Sequence, residues 1–117
     1  MKENLLVDLS KRFAVDIIRI YEDIRETKKY TVIANQLLRC GTSIGANIHE
    51  GNYAASRADF INKFQIALKE CYETEYWLNI MSDAEIITKE TYDDYFAKCS
   101  KIRKLLSASL RTAKDNE

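Results

Sequence analysis

The sequence predicts an all-α fold, an antiparallel up-down-up-down four-helix bundle, on three observations. Proline is absent, and glycine occurs only at Gly41, Gly45 and Gly51 in 117 residues. Apolar residues recur at steps of three and four through four long segments. The stretches between those segments are short, which forces neighbouring helices to run antiparallel. A chain of this length fits one domain, 1–117, able to bury one core. At 46% hydrophobic and 31% charged residues it is too apolar for disorder, and no stretch reads as a linker or a second domain.

The first helix is placed near residues 4–26. Leu6, Leu9, Phe13, Ile17, Ile20 and Ile24 form its seam, flanked by Ala14, Ile18 and Tyr21. The charged stretch Arg25-Glu26-Thr27-Lys28-Lys29 makes the first turn. A second helix, about 30–50, turns Ile33, Leu37, Cys40, Ile44 and Ile48 inward. Gly41 and Gly45 lie one turn apart at the edge of that face. Each costs a helix about 1 kcal/mol relative to alanine, so a neighbouring backbone is expected to approach closely there. Gly51, followed by Asn52, is expected to close the helix as a left-handed cap.

The third helix opens on Ser56-Arg57-Ala58-Asp59, a hydroxyl cap with an acid at the third helical position. Phe60, Phe64, Ala67, Cys71, Thr74, Leu78 and Met81 follow at a repeat of about 3.5 residues. Ser82-Asp83-Ala84 begins the next turn. The fourth helix starts after Thr88, with Tyr92, Tyr95, Cys99, Ile102, Leu106 and Leu110 inward.

Acidic and basic side chains balance at 18 each, but unevenly along the chain. Residues 70–94 carry eight acids against Lys89 alone. Residues 97–114 carry Lys98, Lys101, Arg103, Lys104, Arg111 and Lys114 and no acid. A neutral total argues against a strongly basic nucleic-acid binder, while the segregation gives a molecule polar from end to end. No apolar run approaches the ~20 residues that span a bilayer, and the first residues lack a signal-peptide core. Cys40, Cys71 and Cys99 are widely spaced with no C-x-x-C pair. They read as small core hydrophobes in a reducing, cytoplasmic setting.

Catalytic and metal chemistry find no support. His49 has no companion at ligand spacing and reads as a surface or turn residue. Gly41-Thr42-Ser43-Ile44-Gly45 sits inside a helical pattern with no preceding strand, unlike a phosphate loop. A ferritin-like centre needs inward Glu and Glu-x-x-His sets, which are missing. The sequence therefore implies no cofactor. Two surfaces stand out instead. On the second helix, Arg39, Ser43, Ala46 and Glu50 share one row beside Thr42. They form a smooth strip that is either plain solvent-facing surface or a packing surface for another subunit. On the third helix, Ile66, Trp77 and Ile80 make a second apolar stripe, which reads as core flank or as an interface anchored by tryptophan.

The run from Gln36 through Arg39-Cys40-Gly41-Thr42-Ser43-Ile44-Gly45-Ala46-Asn47-Ile48-His49-Glu50-Gly51 resembles the signature of four-helix-bundle proteins named for intervening sequences in 23S ribosomal RNA genes. The likeness continues through Ser56-Arg57-Ala58-Asp59-Phe60, Ala67-Leu68-Lys69-Glu70 and Glu73-Thr74-Glu75-Tyr76-Trp77-Leu78. Gly45 departs from the proline of many members, and Cys40 from a smaller residue. The resemblance implies an up-down bundle that assembles into ring-like homopentamers and has no catalytic residues. Some relatives work with a reverse transcriptase and nucleic acid. Arg39, Ser43, Asn47 and Glu50 match the family pattern. For Asn47 and Glu50, capping and turn-fixing hydrogen bonds compete with ligand contact.

Two functions follow as expectations. One is an oligomeric, non-enzymatic protein associated with RNA or a ribonucleoprotein through the bases of residues 97–114, joined by Arg57 across the turn. The other is a protein scaffold that docks partners at its acidic and basic ends and binds no nucleic acid. No membrane partner is expected.

Overall fold

The computed structural model describes residues 2–27 and 29–116, with side chains from Leu5 onward. Met1, Lys28 and Glu117 lie outside the described residues, and with them the Lys28 position of the expected first turn. Four helices account for nearly all of it: α1 (Lys2–Glu26), α2 (Thr31–Asn52), α3 (Arg57–Asp83) and α4 (Lys89–Asp115). Among the described residues there is no strand.

Cross-links between the helices fix their directions. Between α2 and α3, Arg39 reaches Glu70 and Glu73 while Glu50 reaches Lys63, so one number rises as the other falls. Between α3 and α4 the same inversion runs from Asn79–Tyr92 through Glu75–Arg103 to Arg57–Ala113. Between α1 and α2, Tyr21 donates to Asn35, and Ser10 lies against Gly45. Each neighbour is antiparallel. The helices pack as a closed square, α1 on α2, α2 on α3, α3 on α4 and α4 on α1, giving a rod of 48 × 21 × 19 Å.

The core is a column of side chains almost wholly withdrawn from water. It contains Leu6, Phe13 and Ile17 of α1, Leu37, Ile44 and Ile48 of α2, Phe64, Leu78 and Met81 of α3, and Ile102 and Leu106 of α4. The seams are those of the sequence with local shifts. Leu9, Ile33, Phe60, Tyr92 and Tyr95 are half-buried, while Ala34 and Ile61 take the deeper places. Ile18, expected on a flank of α1, faces solvent.

The glycines of α2 mark tight contact with α1. A Cβ on Gly45 would stand 3.3 Å from the carbonyl oxygen of Ser10, the close backbone approach expected there. A Cβ on Gly41 would stand 2.8 Å from Ile17 Cγ1, so this glycine accommodates a side chain. The approach also buries Ser10, whose hydroxyl donates to the Val7 carbonyl at 3.3 Å.

Gly51 requires a correction. It is not a left-handed cap, since no glycine has positive φ, and α2 continues through it to Asn52. Its missing side chain makes room for Phe64, whose ring carbons would lie 2.7 Å from a Cβ. Asn47 likewise caps nothing: its Nδ2 donates to the Ser43 carbonyl one turn back at 2.9 Å, within the helix. Ser56 is the N-cap of α3, its Oγ accepting from the Asp59 N–H at 3.1 Å. Thr88 does the same for α4 with Thr91 N–H.

At the end of α3 the left-handed position falls to Glu85, at φ 60°. The Ile86 N–H bonds to Met81 O at 2.8 Å and the Glu85 N–H to Ser82 O at 3.0 Å, the paired closure of a Schellman turn.

Candidate nucleic-acid interface

The bases assigned to this surface divide into two groups. Three are engaged within the bundle. Lys98 lies 3.2 Å from both Asp16 and Asp94 and stands over the Tyr95 ring. Burial opposes its charge, but the hydrogen bonds to Asp94 and Asp16 prevail and hold its pKa above the usual lysine value. Arg103 donates through Nε to Glu75 at 2.9 Å and stacks on Tyr72. That bond raises the guanidinium pKa, and it gives the buried Glu75 a partner. Arg57 donates to the carbonyls of Ala113 at 3.5 Å and Asn116 at 2.7 Å, closing the C-terminal end of α4.

The second group is Lys101, Lys104, Arg111 and Lys114. All four are exposed, and among the described residues none makes an ion pair. Lys101 and Lys104 border a concavity of about 570 Å³ on the outer side of α4, floored by Phe96 and Leu105. Lys101 also lines a groove of about 600 Å³ between α4 and α1. There Lys11 and Arg19 of α1 join it over a floor of Leu9, Phe13 and Ile102, beside Arg12, which pairs with Asp8 at 3.1 Å. The α1 bases were missed in the sequence because they stand some 80 residues away. The signal that could have found them was the antiparallel pairing of the first and last helices.

The strip proposed on α2 is tied to α3 at both charged ends. Arg39 bonds Glu73 and lies 3.4 Å from Glu70, and Glu50 lies 3.2 Å from Lys63. The hydrogen bond from Arg39, against the opposing effect of burial, holds the Glu73 carboxyl below its usual range. Trp77 adds a second bond to Glu73, its Nε1 donating at 3.1 Å. Ser43 and Thr42 are half-buried between these ties, Thr42 bonded to the Leu38 carbonyl, while Ala46 is exposed. Ile66, Trp77 and Ile80 are half-buried on α3.

Cys40, Cys71 and Cys99 are buried free thiols in the middle of the bundle. Burial pushes Cys40 up to about 11, and the contact with Cys71 together with burial raises Cys99. Such thiols are poor nucleophiles and poor metal ligands. Among the described residues, no group of three or more His, Cys, Asp or Glu side chains converges to hold a metal, and no helix is long and apolar enough to cross a membrane.

The family model described as 23S rRNA-intervening sequence protein matches residues 2–108. The chain belongs to that family. It is also similar to a crystal structure from Bacteroides thetaiotaomicron, described as a protein of unknown function from the S23 ribosomal protein family. The two are 48% identical, superpose with a TM-score of 0.93, and cover 95% of this chain and 99% of that one. No curated protein matches the chain. In this intervening-sequence protein, the signature residues of α2 are occupied internally: Arg39 and Glu50 bind α3, and Asn47 binds its own helix.

Proposed function

We propose that this intervening-sequence protein is a non-enzymatic, oligomeric protein of the cytoplasm that associates with RNA or a ribonucleoprotein. The supporting observation is the row of exposed, unpaired bases Lys101, Lys104 and Arg111 on α4, widened by Lys11 and Arg19 across the α1–α4 groove. Bases already matched by carboxylates contribute little to phosphate binding, so the unmatched ones carry the surface. Phosphate contacts of this kind give little base specificity, and affinity falls steeply with salt as bound counterions are released.

The resemblance of the α2 signature favours a homopentameric ring, which would repeat the basic surface five times. The exposed Ala46, between the tethered ends of its strip, is the place where a neighbour could pack. Ala46→Arg is expected to lower the mass in light scattering while leaving helicity intact. An unchanged mass removes α2 from the subunit interface.

The deciding experiment measures binding of the assembled protein to structured RNA over a salt series. Reversing Lys101, Lys104 and Arg111 to glutamate is expected to abolish binding without changing the assembly. Absence of binding at low salt, or binding indifferent to the triple reversal, rejects this surface and favours the scaffold function.

A further inference from the structure

Where α2 gives way to α3, the bundle end carries a concavity of about 860 Å³ with an unusual wall. Tyr53 is 80% exposed, the most exposed large apolar side chain described. Its backbone is fixed, its N–H bonded to the Glu50 carbonyl at 3.1 Å, so the ring is held out from an anchored position. His49, one turn earlier, packs on it with ring centroids 5.1 Å apart. An aromatic pair held in water adds nothing to the core, but it offers a flat π-face to a ligand.

The facing wall carries one guanidinium. Arg57 lines the same pocket, and its bonds to Ala113 and Asn116 draw in the end of α4 that carries Lys114. Of the nearby acids Glu50 pairs with Lys63, while Asp59 in the first turn of α3 and Asp115 beside Lys114 offset part of this positive charge. A π-face beside a guanidinium that bonds carbonyls rather than a carboxylate suits a nucleobase whose flanking phosphates need neutralising. A base within a duplex has both faces covered by its neighbours, so only an unpaired base can use the platform.

We infer that this pocket takes an unpaired base of single-stranded RNA, stacked on Tyr53 beside the tilted His49 ring, with adjacent phosphates against Arg57 and Lys114. The inference rests on the RNA-binding reading and specifies the form of RNA that the bundle end selects.

Fluorescence anisotropy tests it with a labelled RNA oligomer free of self-complementarity and with the perfect duplex of the same strand. Wild type, Tyr53→Phe and Tyr53→Ala are compared at low salt, with circular dichroism melts to show that this exposed site leaves the fold unchanged. Tyr53→Ala is expected to weaken single-strand binding about tenfold, the usual worth of a base–aromatic stack. Duplex binding stays as it was, and Tyr53→Phe retains wild-type affinity for both. Equal binding of both RNAs by wild type, or a Tyr53→Ala variant that binds the single strand like wild type or loses both forms equally, overturns the stacking site. If the triple reversal on α4 abolishes binding while Tyr53→Ala changes nothing, the phosphate surface stands and the stacking site alone falls. If wild type binds neither RNA, both fall.

Discussion

The end of α2 and the end of α3 reverse the chain in opposite ways. At α2 a glycine is present where local rules would use it as a left-handed cap, yet it stays helical and serves Phe64 of the next helix. At α3 the left-handed residue does exist, and it is Glu85, a residue that pays conformational strain there. The glycine is therefore placed by packing, and the cap is closed by hydrogen bonds from Glu85 and Ile86 despite the side chain. Interhelical fit outranks turn conformation in this bundle.

The sharpest way to break that comparison is at Phe64. Phe64→Ala empties a fully buried ring site and is expected to cost about 3–5 kcal/mol in a denaturant melt. A near-neutral result would mean that Gly51 serves nothing at that position. Gly51→Ala comes next. It gains about 1 kcal/mol of helix propensity, yet its methyl meets the Phe64 ring, and overpacking of this kind costs about 1–3 kcal/mol. A net loss is expected, and it should shrink in a Phe64→Leu background. Full additivity of the two changes would disconnect them.

Glu85→Gly is expected to move the other way. It relieves left-handed strain at the cost of some unfolded-chain entropy, for a gain of up to about 1 kcal/mol in thermal unfolding. Loss of stability there would give the Glu85 side chain a role. The smallest effect concerns the ion pairs beside these contacts. The folded Glu73 carboxyl lies below its usual range, so its contribution is present above the unfolded carboxylate pKa and is lost as pH falls through the depressed folded value. Glu73→Gln should cost below about 1 kcal/mol at neutral pH, because the site is partly open to solvent. It should also flatten the acid side of a stability-versus-pH curve. An unaltered acid limb would assign that limb to other carboxylates.

The four helices and most of their inward faces were legible because spacing alone decides which side of a long helix is apolar. Gly41 and Gly45 were legible as contact points for the same reason. Gly51 was not, because a glycine near a helix end is locally indistinguishable from a cap until Phe64, on another helix, is placed against it. The basic surface was half legible. Its α4 bases are adjacent in sequence, but Glu75, one of the eight acids of residues 70–94, is buried beneath Arg103. The α1 bases become visible only when the first and last helices are paired, whereas the Tyr53–His49 contact spans a single helical turn.

The α1–α4 groove has a kinetic consequence. The other three helix pairs join neighbours along the chain through short turns, so each can form as a local hairpin. The α1–α4 seam instead joins groups as far apart as the Asp16 carbonyl and the Tyr95 hydroxyl, 79 residues distant. Closing so long a loop loses the most chain entropy, and contacts of large sequence separation form slowly. This seam should be the last to zip and the first to loosen, with amides of α1 exchanging their hydrogens ahead of those in α2 and α3. The surface proposed to meet RNA would then lie along the bundle's own line of opening.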